Sequence, residues 1–276
     1  MNLMDDSLPI AEVGEWVHEK HALLRRYIDI SREVRKRFVS PNGAGATFVD
    51  LYCGPGRGRI RNSDELVDGS PLVAAKAAES SGYPFRDLHI ADIDASFVHA
   101  SAVRLRNQRI RARVHKYVGP AADTARQVAS TLDPYGLHFV FLDPYNLGDL
   151  PLAVIEPFAE LRRADILIHV SAMDMQRNLE QAISATEGHR FDRFAPGWRD
   201  VMDPNAPPHE TRRAIRRHWI NLLKRMGLTA FEEQFTLVKG SRNQPLYWLA
   251  FAAKHERALE FWDKIRNVTP QRSFPF

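Results

Sequence analysis

One stretch, residues 47–58, constrains the fold of this chain more than any other. It starts with an almost unbroken run of apolar, aromatic and β-branched side chains, Thr47-Phe-Val-Asp-Leu-Tyr, and continues as Cys53-Gly-Pro-Gly-Arg-Gly58. Such a run is typical of a strand buried on both faces of a parallel sheet. Glycines at its end expose backbone N–H groups at the edge where parallel sheets bind ligands. The stretch therefore predicts a strand that leads into a nucleotide-binding loop.

The spacing of the glycines argues against a loop that binds NAD. Gly54, Gly56 and Gly58 follow a Gly-x-Gly-x-Gly pattern, whereas the dinucleotide fingerprint is Gly-x-Gly-x-x-Gly. The next helix start, Ser70 as N-cap followed by Pro71, comes only after about ten further residues. The sequence also lacks a Gly-x-x-x-x-Gly-Lys-Ser/Thr phosphate loop, which argues against an ATPase.

A second predicted strand, Asp87–Asp94, ends in two acids, Asp92 and Asp94. An acid at this position can accept hydrogen bonds from both hydroxyls of a ribose that lies across the glycine loop. Of the two, Asp92 is the preferred candidate for binding the ribose. Asp94 either binds the ribose as well or caps the next helix. Asp50 and Tyr52 belong to the strand before the glycines and complete the expected cofactor site.

Another predicted strand begins at His138 and ends in Asp143-Pro144-Tyr145. Its acid faces the same edge of the sheet, and the proline restricts the backbone so that a neighbouring carbonyl points in one direction. Together the acid and the carbonyl can hold an amino group. Tyr145 can stack on a planar base, a role for which Trp198 is the other candidate.

The order of the predicted elements indicates an α/β fold. Five predicted strands alternate with helices, which is typical of a doubly wound parallel sheet. Two late strands, Glu233–Lys239 and Pro245–Ala253, predict an antiparallel hairpin at the sheet edge. The expected fold is a mostly parallel seven-stranded sheet with this hairpin and a helical insertion.

We expect three parts along the chain. Residues 1–45 form an N-terminal helical segment, built on an amphipathic helix from Glu15 to Phe38 whose basic residues form a separate face. Residues 46–255 form the main domain. Within it, glycines and prolines in residues 174–226 interrupt the alternation and predict an inserted lid or specificity segment. Residues 256–276 form a C-terminal helix and tail.

Arginine-rich helices are the candidate contacts for a nucleic acid. The net charge of +4 permits a polyanionic partner, and ordinary solvated helix faces are the alternative explanation. The candidates are Arg104, Arg106, Arg212, Arg213, Arg216 and Arg217. A rival interpretation joins the helix from Thr211 to Met226 and the late hairpin into a winged-helix DNA-binding unit.

Several other classes of site find no support in the sequence. Cys53 is the single cysteine, so an internal disulfide cannot form, and the histidines show no spacing typical of metal ligands. There is no apolar run of about eighteen residues, and the start lacks the features of a signal peptide. We therefore expect a cytoplasmic protein with no metal and no membrane partner.

These motifs resemble those of class I S-adenosylmethionine-dependent methyltransferases. More narrowly, the chain is similar to the three-Cys-motif partner protein (TcmP) family. Four segments carry the resemblance: Val49-Asp-Leu-Tyr-Cys-Gly-Pro-Gly, Gly69-Ser-Pro-Leu, Phe141-Leu-Asp-Pro-Tyr and Tyr247-Trp-Leu-Ala-Phe-Ala-Ala-Lys-His. The resemblance implies S-adenosylmethionine as cofactor, bound by Asp50, the three glycines and Asp92, and a three-Cys-motif protein as partner.

The same resemblance implies a reaction. Asp143, Pro144 and Tyr145 are similar to the Asp-Pro-Pro-Tyr motif of enzymes that methylate amines in DNA or RNA, although this chain has a single proline followed by Tyr145 and Asn146. We expect a methyltransferase that acts on a nucleic acid, with a base amine as one acceptor. The alternatives are a noncatalytic cofactor- or nucleotide-binding subunit of a three-Cys-motif protein, and the winged-helix DNA binder.

Overall fold

The structure, a computed structural model, describes residues 6–185, 188–240 and 242–267. Its strands are β1 (Ala11–Val13), β2 (Ala46–Asp50), β3 (Arg57–Ile60), β4 (Leu66–Asp68), β5 (Asp87–Asp92), β6 (Arg113–Val118), β7 (Leu137–Leu142), β8 (Ala164–Ser171), β9 (Thr236–Lys239) and β10 (Pro245–Ala253). Its helices are α1 (Val17–Ile30), α2 (Arg32–Val39), α3 (Ser70–Ser80), α4 (Ala95–Arg106), α5 (Ala121–Thr131), α6 (Glu156–Ala159), α7 (Ala172–Ser184), α8 (Arg190–Phe194), α9 (Pro208–Arg225) and α10 (Glu256–Arg266).

Seven of the described strands form the central sheet, in the order β6-β5-β2-β7-β8-β10-β9. Neighbours from β6 to β8 pair in parallel, and β10 pairs antiparallel with both β8 and β9. The predicted α/β fold, a mostly parallel seven-stranded sheet with a late antiparallel hairpin, is confirmed. The winged-helix interpretation is wrong in its geometry, because the hairpin belongs to the central sheet and not to a separate wing.

Both faces of the sheet are covered, which explains the apolar character of β2. Successive side chains of a strand point to opposite faces, so Phe48 packs in one core and Val49 in the other. The core around Phe48 includes side chains of α1, α3 and α10. The core around Val49 includes side chains of α5, α7 and α9. All five residues of β2 are buried.

The N-terminal segment is integrated into the main domain. The single helix expected from Glu15 to Phe38 is divided at Ser31, whose hydroxyl donates to the Tyr27 carbonyl and competes with a continuous helix. Helix α1 packs against α3 and α10. The Tyr27 ring stacks on Phe139, 5.0 Å between centroids, and its hydroxyl donates to Asp165.

The segment predicted as an insertion, residues 174–226, contains α7, α8 and α9. Helices α7 and α9 bury Met175, Leu179 and Trp219 in the core around Val49. Between β7 and β8, a 3-10 turn at Leu152–Val154 leads into the short helix α6. The predicted C-terminal tail, residues 268–276, lies outside the described residues. No helix in the described ranges is both long and apolar enough to cross a membrane.

The polar segment between the glycine loop and α3 belongs to a second, small sheet. Strand β3 pairs with β4 and, in parallel, with β1 from the N-terminal segment. Arg104 secures this arrangement. Its guanidinium forms two hydrogen bonds with the Asp6 carboxylate, at 2.8 and 2.6 Å, and also donates to the carbonyls of Pro9 and Pro55. Arg104 therefore joins the N-terminal segment to the glycine loop.

The assignment of Arg104 to nucleic-acid binding is wrong, because its side chain is only 2% exposed. Its neighbour Arg106 is exposed on the same helix and keeps that assignment as a prediction. A helical sequence pattern predicts the spacing of charged side chains along α4. It does not predict the tertiary partner, here Asp6, with which one of these charges is buried.

We expect Arg104→Met to lower the free energy of unfolding by about 3 to 5 kcal/mol, because it removes the two hydrogen bonds to Asp6 and the donor to the carbonyls of Leu8, Pro9 and Pro55. Urea denaturation followed by circular dichroism measures this loss. Arg106→Met, the exposed control on the same helix, should change stability by less than about 0.5 kcal/mol. Equal effects of the two substitutions would contradict the structural role of Arg104.

Candidate active site

A cavity of about 630 Å³ lies at the carboxyl ends of β2, β5 and β7. Here the chain leaves β2 toward β5 on one side and later returns to β7 on the other, and such switch points are where open α/β sheets bind ligands. The volume is within the usual range for a small-molecule site. The sequence-predicted site residues that line it are Tyr52, Gly54, Gly56, Gly58, Asp92, Asp143 and Tyr145.

Asp50 lies behind the loop and does not belong to the cavity lining. Its carboxylate is fully buried and accepts hydrogen bonds from the Tyr52 backbone N–H, at 3.1 Å, and from the Ser70 hydroxyl, at 2.6 Å. Ser70 is thus the first residue of α3 and a partner of Asp50, while Gly69 takes the N-cap position predicted for Ser70. Burial raises the pKa of Asp50 to about 7, despite these two donors.

Each of the three glycines in the loop is favoured by a different feature of the structure. Gly54 has a φ of +53°, and a Cβ there would meet nothing within 4 Å, so its bare backbone is open to the cavity. Gly56 has a φ of +77°, and a Cβ there would lie 3.0 Å from the Ser101 Cα. A Cβ on Gly58 would lie 2.9 Å from Val13. Gly54 is therefore open to a ligand, and the other two permit close packing around it.

The two acids at the end of β5 have separate positions. Asp92 lines the cavity and accepts hydrogen bonds from the backbone N–H groups of Gly54, at 3.0 Å, and Asp94, at 3.1 Å. Asp94 is exposed and caps α4, where it accepts from the Ser96 N–H and hydroxyl. Its predicted role as a cofactor ligand is replaced by the capping alternative, because its carboxylate is engaged at the helix start, outside the cavity lining.

Apolar side chains border the Asp92 side of the cavity. Ile93 is 75% exposed, and it lines the cavity together with Phe97 and Pro120. On the opposite side, the Tyr52 hydroxyl donates to the Asp149 carbonyl, which fixes the tyrosine ring in the wall. An exposed apolar surface beside a carboxylate fits a molecule with a planar base and a hydroxylated sugar.

Asp143, at the end of β7, forms an ion pair with a residue that the sequence did not suggest. The Lys20 ammonium, from α1, donates to Oδ2 of Asp143, and both residues line the cavity. Lys20 is only 9% exposed. Burial is the largest single effect and raises the pKa of Asp143, but the charge and hydrogen bond of Lys20, together with His169 and His21, outweigh it, so the pKa lies below its usual value. Asp143 is therefore ionised at neutral pH.

His169, on β8, forms a hydrogen bond with Pro144, the residue that follows Asp143. Its Nδ1 lies 3.2 Å from the Pro144 carbonyl oxygen. Burial lowers the pKa of His169 to about 4, so the ring is neutral at pH 7. Because a carbonyl only accepts hydrogen bonds, Nδ1 carries the proton. The ring also packs edge-on against Tyr247 of β10, with 4.2 Å between centroids.

Tyr145 remains available for a ligand, whereas Trp198 does not. The Tyr145 side chain is 88% exposed at the cavity mouth. Trp198 is 1% exposed, and its indole N–H donates to Asp192. The alternative that Trp198 forms the stacking platform is therefore wrong, since its ring is already packed in the core.

The remaining arginine candidates lie away from the cavity lining. Arg216 and Arg217 both pair with Glu232, and Arg216 also stacks over Trp248, 4.9 Å from the ring centroid. Arg213 is exposed on the same helix and Arg212 is half-buried. Arg216 therefore stabilises the contact between α9 and the end of the sheet, and Arg213 is the member of the cluster most accessible to a polyanion.

Lys20 could have been found from its position in the helical pattern. It lies three, four and seven residues before Leu23, Leu24 and Tyr27, which form the buried face of α1. A lysine in such an apolar stripe indicates a charge that is paired inside the protein. His169 gave no comparable signal, because a histidine in an apolar strand is compatible with many environments.

Comparisons with known proteins agree with the fold. The solved structure of protein LPL1258 from Legionella pneumophila has a TM-score of 0.50 and 7% identity, covering 88% of this chain and 91% of that chain. An O-methyltransferase from Bacillus cereus, in complex with SAH, has a TM-score of 0.49 and 14% identity, covering 90% and 85%. An rRNA methylase from Streptococcus thermophilus has a TM-score of 0.42 and 12% identity, covering 88% and 99%.

No protein-family model matches the chain, and no curated protein matches it. At identities this low, likeness between structures shows a shared fold only. The chemistry of the site therefore depends on the geometry of its own residues.

The pKa of Asp50 gives a test of this geometry. In the unfolded chain an aspartate loses its proton near pH 4, about 3 units below the folded value. Between these pH values only the folded state keeps the proton, so its contribution to stability is full below pH ~4 and is lost as pH rises to 7. Asp50→Asn does not titrate. We expect its stability relative to the parent to increase from pH 4 to pH 7 in urea denaturation, whereas a constant difference would contradict the assignment.

Proposed function

We propose that this chain is an S-adenosylmethionine-dependent methyltransferase that acts on a base amine in DNA or RNA. One observation carries the proposal: a single cavity is lined both by Gly54 and Asp92 and by Asp143 and the exposed Tyr145, the residues on either side of Pro144. When bound, S-adenosylmethionine supplies a methyl group that is electrophilic because it is attached to a sulfonium. The chain must then orient an acceptor and exclude water.

Asp92 suits the cofactor end of the cavity. An ionised carboxylate has about four lone-pair sites, of which two accept the N–H groups of Gly54 and Asp94. The others can accept ribose hydroxyls. Ile93 and Phe97 offer an apolar surface for the adenine ring next to this carboxylate. These residues fit the cofactor, and the backbone at Gly54 lets it approach closely.

Asp143, Pro144 and Tyr145 suit the acceptor end. An ionised carboxylate and a carbonyl oxygen both accept hydrogen bonds, so they match the two N–H donors of an exocyclic amine and orient its nitrogen lone pair. Alignment of this kind supplies up to about 7 to 11 kcal/mol of a reaction barrier. The exposed ring of Tyr145 can stack on the base. His169 fixes the Pro144 carbonyl, which supports this role despite the missing second proline.

We include membership of the three-Cys-motif partner family in this proposal, with a three-Cys-motif protein as companion. The segments that carry the resemblance come together in space, which supports the assignment. Residues 51–56, Ser70, Asp143 and Tyr145 all line the cavity, and Tyr247 packs on His169, which lies next to Asp143.

A second candidate, a noncatalytic subunit that binds the cofactor for a partner, is favoured by one contact. The Lys20 ammonium already occupies one oxygen of Asp143, the residue expected to receive the acceptor. If this contact closes the acceptor site, the cavity retains cofactor binding and loses transfer. The two experiments below separate the candidates.

We expect calorimetry to show S-adenosylmethionine and S-adenosylhomocysteine binding to the parent, and Asp92→Ala to weaken binding about 10- to 100-fold through loss of charge-assisted hydrogen bonds. Asp94→Ala is the matched control. It removes a helix cap and should cost about 1 kcal/mol of stability without changing affinity. Absence of binding by the parent would refute both the enzyme and the noncatalytic subunit.

Transfer of a radiolabelled methyl group to DNA and RNA oligonucleotides tests the acceptor end. We expect Asp143→Asn to reduce transfer at least 100-fold, because the amide cannot replace both the charge and the acceptor atoms. Tyr145→Ala should mainly raise KM, by about 5- to 100-fold, through loss of stacking. Cofactor binding with no transfer by the parent, also with a three-Cys-motif protein present, would favour the noncatalytic subunit.

A further inference from the structure

The contact between Lys20 and Asp143 is the least expected feature of the cavity. It joins residues 123 positions apart and brings a buried ammonium from the first helix to the acid at the end of β7. A long charged side chain is rarely buried without a paired partner, because desolvation of its charge is costly. A position on the cavity wall, beside the proposed acceptor site, gives this lysine a function beyond stability.

We propose that Lys20 is a positioning residue of the acceptor site: its ammonium holds Oδ2 of Asp143 and keeps the carboxylate ionised, leaving Oδ1 and the Pro144 carbonyl to accept the protons of the acceptor amine. The proposal rests on the proposed function for the identity of the acceptor. The effect of Lys20 on Asp143 is a property of this chain alone and can be measured without any ligand.

The geometry around Asp143 supports this division of its two oxygens. Oδ2 receives the Lys20 ammonium, whereas Oδ1 lies 3.7 Å from Nδ1 of His169, beyond hydrogen-bond distance. That nitrogen donates to Pro144 instead. Lys20 on α1 therefore fixes the Asp143 carboxylate, and His169 on β8 fixes the Pro144 carbonyl. Neither donor occupies Oδ1 of Asp143.

Several elements place titratable groups near Asp143. Among all of these groups, Lys20 is the positively charged one at pH 7. His21 on α1 and His169 on β8 are both neutral at pH 7, because burial lowers their pKa values to about 3 and about 4. Tyr247 on β10 stays protonated, since burial raises its pKa. Asp50 on β2 has a pKa near 7 and opposes ionisation of Asp143 when it is charged. At pH 7, loss of Lys20 would therefore leave no nearby full positive charge among these groups.

Carbon NMR of ¹³C-aspartate-labelled protein, with the Asp143 signal assigned through Asp143→Asn, tests the proposal. We expect Asp143 in the parent to titrate below the ordinary aspartate range. In Lys20→Met its acid dissociation should weaken at least tenfold, which is one pH unit or more. Lys20→Arg keeps the charge and should keep the low titration. Lys76→Met, which removes a lysine paired with another cavity-lining acid, Asp68, should leave Asp143 unchanged.

An unchanged Asp143 titration in Lys20→Met would overturn the proposal. If that variant does not fold, the parent and Lys20→Arg decide: titration at or above the ordinary range, near pH 4, overturns it, and titration clearly below supports it. This outcome is independent of the calorimetric test with Asp92→Ala. If the chain binds no S-adenosylmethionine but shows the expected titration, the proposed function is refuted and the role of Lys20 toward Asp143 is retained.

Discussion

Complete burial of β2 is the constraint on which the rest of the structure depends. A strand with both faces covered ends inside the protein, so whatever follows it must satisfy its polar groups without much water. Asp50 does this at the last position of the strand, where it accepts from the Tyr52 N–H and the Ser70 hydroxyl. The loop between them is thereby fixed at both ends, and Gly54 is presented to the cavity in a conformation that other residues adopt only with strain.

The features that could be predicted from the sequence are those encoded locally. Apolar runs identified strands of the central sheet, and β10 has the predicted bounds, Pro245–Ala253. The acids at strand ends, Asp92 and Asp143, follow from the same reasoning, because parallel strands deliver their carboxyl ends to one edge. Local patterns did not predict every boundary: the helix expected to be continuous is divided at Ser31, whose hydroxyl donates to the Tyr27 carbonyl.

The rest depends on which distant residues meet, and no local pattern encodes that. Lys20 and Arg35 belong to the helix whose basic residues were expected to form a separate face, yet Lys20 reaches Asp143, and the Arg35 guanidinium donates to the carbonyls of Ile28 and Tyr83. Arg104 was read as a contact for a polyanion, and it binds Asp6. In each case a helix supplied the direction of the side chain, and a separate element supplied the acceptor that determined its role.

The contact of α1 with the late elements of the chain has a consequence for the order of folding. Helix α1 is synthesised first, but its Tyr27 packs on Phe251 and Trp262, and its Lys20 meets Asp143. Contacts of such long sequence separation form slowly, because the intervening chain must be closed into a loop first. During synthesis on the ribosome, α1 can meet α3 early, but the contacts of Tyr27 with Phe251 and Trp262 form only after β10 and α10 have been made. The nascent chain holds Lys20 without its counter-ion until Asp143, near the middle of the 276-residue chain, has been synthesised.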